Sequence, residues 1–162
     1  FLYAGLMIDA NGTPKVLEYN CRFGDPETQP IMMRLQSDLV QLCLDAIAGQ
    51  LDQATAEWDN RCSLGVVLAA GGYPDSYEKG HIIHGLPREE SDDAKVFHAG
   101  TRLDDQSRVL TDGGRVLCAV ALGDTVAEAQ TRAYELTQQI QWQAVYYRTD
   151  IGYRAVARES EY

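Results

Sequence analysis

The string Glu18-Tyr19-Asn20-Cys21-Arg22-Phe23-Gly24-Asp25-Pro26-Glu27-Thr28-Gln29 places acids, an amide and an arginine within reach of one another. Side chains on a strand alternate between faces, so Glu18 and Asn20 share one face while Leu17 and Tyr19 take the other. A carboxylate and an amide oxygen side by side are hard donors. Magnesium prefers oxygen ligands, keeps several waters and is commonly held by one or two protein groups together with nucleotide phosphates. Arg22 adds a fixed cation whose planar fork matches a carboxylate or a phosphate. The chemistry this set suits is phosphoryl or acyl-phosphate transfer. A Glu-x-Asn pair also occurs on solvated strand faces, and spacing alone leaves both readings open.

The elements flanking the string must position it. Asn11-Gly12 is a hairpin-turn dipeptide, and Pro14-Lys15-Val16-Leu17 leads from it into Glu18 as a strand. After the string, Ile31, Leu35, Leu39, Leu42 and Ala46 recur at helical spacing, which predicts one helix from Ile31 to Ala48 with Gly49 as its stop. Asp25 followed by Pro26 reads equally as an N-cap with a first-turn proline or as a substrate contact. A helix start there would also offer backbone N–H groups to an anion. Glu27 and Gln29 read as first-turn residues.

From Gly49 to Asn60 the chain is polar, which predicts a lobe boundary. Leu64 to Ala70 is a continuous apolar run of strand length, punctuated by Gly71-Gly72-Tyr73-Pro74. These glycines serve a turn or a close backbone approach to a ligand, the turn being favoured. Residues 96–103, 108–111 and 115–122 read as antiparallel strands, with Asp112-Gly113 as a hairpin turn. Thr125-Val126-Ala127-Glu128 has capping-box spacing, and Val126, Ala129, Ala133, Leu136 and Ile140 form one core stripe behind it. His81 and His84 fall on opposite faces of a strand and are set aside as a metal pair. Glu89-Glu90-Ser91-Asp92-Asp93 reads as a solvated loop.

Composition excludes several classes. Hydrophobic residues make up 45% of the 162, enough for a core, in one domain or two small ones. The formal charge of −10, from 14 basic and 24 acidic residues, offers no basic stripe for nucleic acid. No apolar run approaches the roughly eighteen residues of a membrane span. Cys21, Cys43, Cys62 and Cys118 show no paired spacing, the pattern of reduced thiols in a cytoplasmic protein.

The longer string Arg22-Phe23-Gly24-Asp25-Pro26-Glu27-Thr28-Gln29 resembles the signature of the phosphoribosylamine-glycine ligase (glycinamide ribonucleotide synthetase) family of ATP-grasp enzymes. The resemblance continues in order through Ser63 to Pro74, Val96 to Thr101, Gly113 to Leu117 and Asp150 to Ala155. It implies an α+β fold: the C-terminal part of an ATP-grasp domain over residues 1–58, antiparallel strands plus a helix, then a small β-rich C-terminal domain with a packed helix over 59–162. It implies Mg2+ (or Mn2+) bound by Glu18 and Asn20. Arg22 would be catalytic, facing the reacting phosphoryl and carboxylate groups and holding glycine's carboxylate, while Asp25 orients its amino group. Gly71, Gly72 and Lys79 become candidates on the phosphoribosylamine side.

The wider ATP-grasp pattern has a further metal-binding glutamate on the preceding strand, where this chain has Leu6, so fewer protein ligands are expected. The chain opens at Phe1 inside an apolar run, with no glycine-rich phosphate loop before Glu18. The resemblance therefore predicts a C-terminal part of the ligase, partnered by an N-terminal part of the same polypeptide and by ATP, glycine and phosphoribosylamine, and not expected to turn over alone. Another ATP-grasp carboxylate-amine ligase of purine synthesis and a non-catalytic interaction module are the alternatives.

Overall fold

A two-stranded antiparallel ribbon, β1 (Tyr3–Ile8) and β2 (Pro14–Asn20), opens the chain in a computed structural model that describes residues 1–89 and 91–161. Glu90 of the acidic run lies outside the described residues. The ribbon turns through residues 9–13, where Gly12 takes φ +82° and the Asp9 carboxylate accepts from Asn11 and Thr13 N–H. Gly5 pairs with Glu18 and Leu6 with Val16, so Leu17 is bulged out of register. Glu18 and Asn20 both lie beyond the bulge and keep a common face.

The expected single helix from Ile31 to Ala48 is two helices, α1 (Thr28–Arg34) and α2 (Leu39–Ile47). Leu35 is extended, with ψ 118°, and the chain segment around Trp58 docks into the gap. Gln36 N–H donates to Glu57 O, Asp59 N–H to Arg34 O, and Glu57 N–H to Ser37 Oγ. Asp38 then caps α2, its carboxylate accepting from Val40 and Gln41 N–H. Apolar spacing runs straight through this break because both helices present apolar side chains. Gly49 stops α2 as expected: at φ +70° it allows Gly49 N–H to reach Ala46 O and Gln50 N–H to reach Asp45 O.

The core lies in a three-stranded antiparallel sheet of order β3 (Cys62–Ala69), β7 (Arg115–Gly123), β4 (Ala94–His98). On one face, Leu64, Val66 and Leu68 are buried against α3 (Val126–Gln139), whose Ala129, Ala133 and Leu136 are also buried, as the stripe predicts. Thr125 Oγ1 accepts from Glu128 N–H at 3.1 Å, and the Glu159 carboxylate at the end of α4 (Tyr153–Glu159) accepts from Val126 and Ala127 N–H. The C-terminal helix thus caps the start of α3. On the other face α1 packs at Gly65, where an added Cβ would stand 3.0 Å from Pro30 Cγ.

Residues 96–103 are not one strand, and Asp112-Gly113 is not the hairpin turn. β5 (Thr101–Leu103) pairs with β6 (Val109–Thr111), while β4 pairs with β7. Residues 94–123 therefore form one long ribbon folded over at Gly100 and Gly113. Its tip is at Asp104, whose carboxylate accepts from Gln106 and Arg108 N–H. Gly100 and Gly113 are needed where the two chain segments cross, since a Cβ on Gly100 would stand 2.6 Å from Gly113 Cα.

Candidate active site

β2 carries Glu18 and Asn20, and antiparallel pairing sets them beside Gly5 and Tyr3 of β1. Gly5 leaves Glu18 room: a Cβ there would come within 3.0 Å of Glu18 Cγ. The Tyr3 hydroxyl donates to Glu27 Oε1 at 3.2 Å, bringing the carboxylate that precedes α1 back over the ribbon. The Glu27 charge first, then burial and the Glu27 hydrogen bond, with a further contribution from Glu18, push the Tyr3 phenol above its ordinary value. Glu18, Asn20, Tyr3 and Glu27 are thus neighbours. Glu27 was legible only as a first-turn residue, because its link to Tyr3 spans 24 positions. Carboxylate and amide oxygens on one face suit a hard divalent cation. Among the described residues no three His, Cys, Asp or Glu side chains converge as a metal cluster, and neither His81 nor His84 belongs to one.

The turn after β2 departs from the helix-cap reading. α1 begins at Thr28, its N-cap is Glu27 with no side-chain cap, and the Thr28 N–H and hydroxyl both donate to Gly24 O. Asp25 does not cap, and Pro26 is not in the first turn. Instead the Asp25 carboxylate meets Arg115 Nη2 at 2.9 Å, and Arg115 Nη1 donates to Asp25 O at 3.2 Å. Arg115 begins β7, so this contact across 90 positions ties the turn to the second sheet. Arg22 is exposed and its Nη1 donates to Phe23 O at 2.9 Å, which leaves the rest of its fork toward solvent.

The glycine turn has structural work of its own. A Cβ on Gly71 would stand 2.6 Å from Ala144 O, and Gly72 takes φ +95° with Ser76 O close behind it. These demands account for both glycines as turn residues and set Tyr73 beside Tyr77 and Gly114. Lys79 is half-exposed and pairs with Asp112 at 3.5 Å. Cys118, on the β7 face toward Gly65, is pushed up to about 12 by burial and then by the Asp25 charge, which makes it a packing residue and not a nucleophile.

Comparison with known proteins bears on both sides of this junction. The family model described as "Phosphoribosylglycinamide synthetase, C domain" matches residues 63–154, and that described as "Phosphoribosylglycinamide synthetase, ATP-grasp (A) domain" matches residues 1–28. A phosphoribosylamine-glycine ligase of Salmonella typhimurium is 69% identical over 98% of this chain and 37% of its own length. One of Vibrio cholerae has the same identity and coverage, and one of Escherichia coli O157:H7 is 66% identical. The crystal structure of a phosphoribosylamine-glycine ligase from Thermotoga maritima superposes with TM-score 0.72 at 38% identity, over 93% of this chain and 36% of that one. The chain spans about 37% of the length of the curated relatives it matches. With a domain-level match over more than half its residues and near-complete alignment to such relatives, the chain belongs to the phosphoribosylglycinamide synthetase family.

Proposed function

We propose that this chain supplies one wall of the active site of an ATP-dependent ligase that joins glycine to 5-phosphoribosylamine. The curated relatives it matches are longer, this chain covering about 37% of their length, and in this reading the remainder of the site belongs to the part it does not match. The observation that carries the reading is the junction at Asp25: the segment bearing Glu18, Asn20 and Arg22 is clasped by Arg115 of the second sheet. In this reading residues 1–58 are the end of an ATP-grasp domain and residues 59–162 a C-terminal domain. A cytoplasmic site accords with the free cysteines.

Glu18 and Asn20 offer the oxygen donors that would hold Mg2+ or Mn2+, and such an ion supplies charge neutralisation at the nucleotide phosphates when bound. A glycine carboxylate oxygen attacks the γ-phosphorus of ATP, and ADP leaves. The amine of phosphoribosylamine then attacks the carbonyl carbon of glycyl phosphate, loses a proton and expels phosphate to leave the amide. Arg22 faces the phosphoryl group and the glycine carboxylate; Asp25, held by Arg115, keeps an oxygen for the glycine ammonium. Gly71, Gly72 and Lys79 stand as the candidates on the phosphoribosylamine side, the glycines by setting the course of the backbone. Catalysis of this kind is positioning and charge stabilisation, and needs no side-chain nucleophile.

The test is Glu18→Gln in the full-length ligase containing this sequence. Glycine- and phosphoribosylamine-dependent ADP formation at limiting magnesium should fall by about tenfold or more, with part of the loss recovered at high magnesium. Undiminished activity at limiting magnesium removes Glu18 from the role. Product mass separates this ligase from one acting on another purine intermediate.

A further inference from the structure

Residues 1–63 hold one buried residue, Gly24, two positions past Arg22. What covers it comes from both sides of the turn. A Cβ on Gly24 would stand 2.9 Å from Glu27 Cδ and 3.1 Å from Tyr3 Cε2, so a carboxylate from the start of α1 and a ring from β1 close over a backbone with no room for a side chain. The Tyr3 hydroxyl joins the two by donating to Glu27 Oε1 at 3.2 Å, and its raised pKa keeps it the donor at neutral pH.

β1 and β2 pair with one another and with no other strand. Between β2 and α1 the chain passes through Cys21 and Arg22, both exposed, so the backbone alone does not fix the ribbon against the helix. Side chains from the β1 end span this joint: Phe1 meets Phe23 with ring centroids 4.4 Å apart, and Tyr3 meets Glu27. Tyr3 lies opposite Asn20 in the ladder, on the face that also carries Glu18. Glu27 is held at the other end, its carbonyl accepting from Ile31 N–H while Gly24 O accepts from the Thr28 N–H and hydroxyl. The phenol–carboxylate bond therefore ties the face of the proposed cation donors to the turn that carries Arg22.

We propose that Tyr3 is a positioning residue: its hydroxyl, acting through Glu27, fixes the Arg22 guanidinium relative to the Glu18 and Asn20 oxygens. The clasp stands on the contacts above; its effect on glycine rests on the ligase reading. In that reading an ion and a guanidinium address one transferring phosphoryl group, and their spacing must hold to about half an ångström. The exposed ribbon cannot set that spacing by burial, which leaves it to the clasp.

The experiment is steady-state kinetics of the full-length ligase containing this sequence, with backbone hydrogen exchange followed by mass spectrometry on the same proteins. Tyr3→Phe keeps the ring over Gly24 and removes the hydroxyl. It should lower kcat/KM for glycine by about tenfold, leave magnesium activation within about twofold, and speed exchange at residues 22–27 but not at residues 62–69. Glu27→Leu should match it, and the double variant should be no worse than either single one. Glu27→Gln, which still accepts from the phenol, should lose less than about threefold. A ribbon that is only loosened would weaken magnesium in step with glycine, and that outcome overturns the proposal. So do additive losses, a Glu27→Gln variant as poor as Glu27→Leu, and undiminished kcat/KM in Tyr3→Phe, which removes the positioning role while wild-type activity keeps the ligase reading. If the wild-type protein forms no glycine-dependent ADP, the ligase reading falls and exchange decides the clasp: faster at residues 22–27 in Tyr3→Phe it stands, unchanged it falls.

Discussion

Asp59 receives two kinds of hydrogen bond from Arg61, from the guanidinium and from the backbone N–H, and they hold its carboxyl down to about 2 from an ordinary 3.8. Arg61 also reaches Asp93 across 32 positions, so the group fastens the start of β3 to the loop before β4. Because the folded state depresses this carboxyl, its stabilisation is complete above about pH 4 and is lost as pH falls toward 2. Urea unfolding should show Asp59→Asn less stable than the parent at pH 6, with the gap closing between pH 4 and pH 2; a constant gap would mean the contact is not ionic. The cysteines give a second test at this scale. Cys21 is exposed and Cys118 is buried with its thiol pushed up to about 12, so a disulfide reagent at pH 8 should label Cys21 promptly and Cys118 only in denaturant.

At the scale of elements, what could be read in advance was what local chemistry decides. The β1-β2 hairpin follows from Asn11-Gly12 and strand alternation, and α3 from its cap and its stripe. The helix break did not emerge, although Ser37-Asp38 is a cap signal, because Leu35, Leu39 and Leu42 kept helical spacing across it. Asp38→Ala should cost about 1 kcal/mol by loss of the cap, measurable by urea unfolding; no cost would make the Trp58 segment alone responsible for the break. Gly113 misled in the opposite way, since a turn-forming dipeptide was serving a crossing with Gly100 instead. Replacing either glycine by alanine should destabilise strongly, and the double replacement should cost less than the sum, because either Cβ already forces the segments apart. Additive costs would show that the two positions relax independently. Arg115, Tyr3 and Glu27 could not be joined to the site from spacing, as each acts through a contact distant in the chain.

For the whole molecule, burial is uneven. β3, β7 and α3 hold most of the buried residues, whereas Leu6, Met7, Ile8, Val16, Leu17 and Tyr19 of the ribbon are all exposed. A two-stranded ribbon with little beneath it is marginal by itself, and its amides should exchange with solvent well before those of Val66 or Val120. Equal protection in the two regions would contradict this order. Among the described residues no helix is long and apolar enough to cross a membrane. The ribbon also bears Glu18 and Asn20, the proposed cation donors. The apparent affinity for a divalent ion is then the intrinsic affinity multiplied by the fraction of time β1 and β2 are paired. Anything that raises that fraction, a stiffer turn at Gly12 as much as a surface laid against Leu17 and Tyr19, would tighten metal binding without touching a ligand, and a zinc-free competition dye read against magnesium would report strand pairing as directly as it reports the ion.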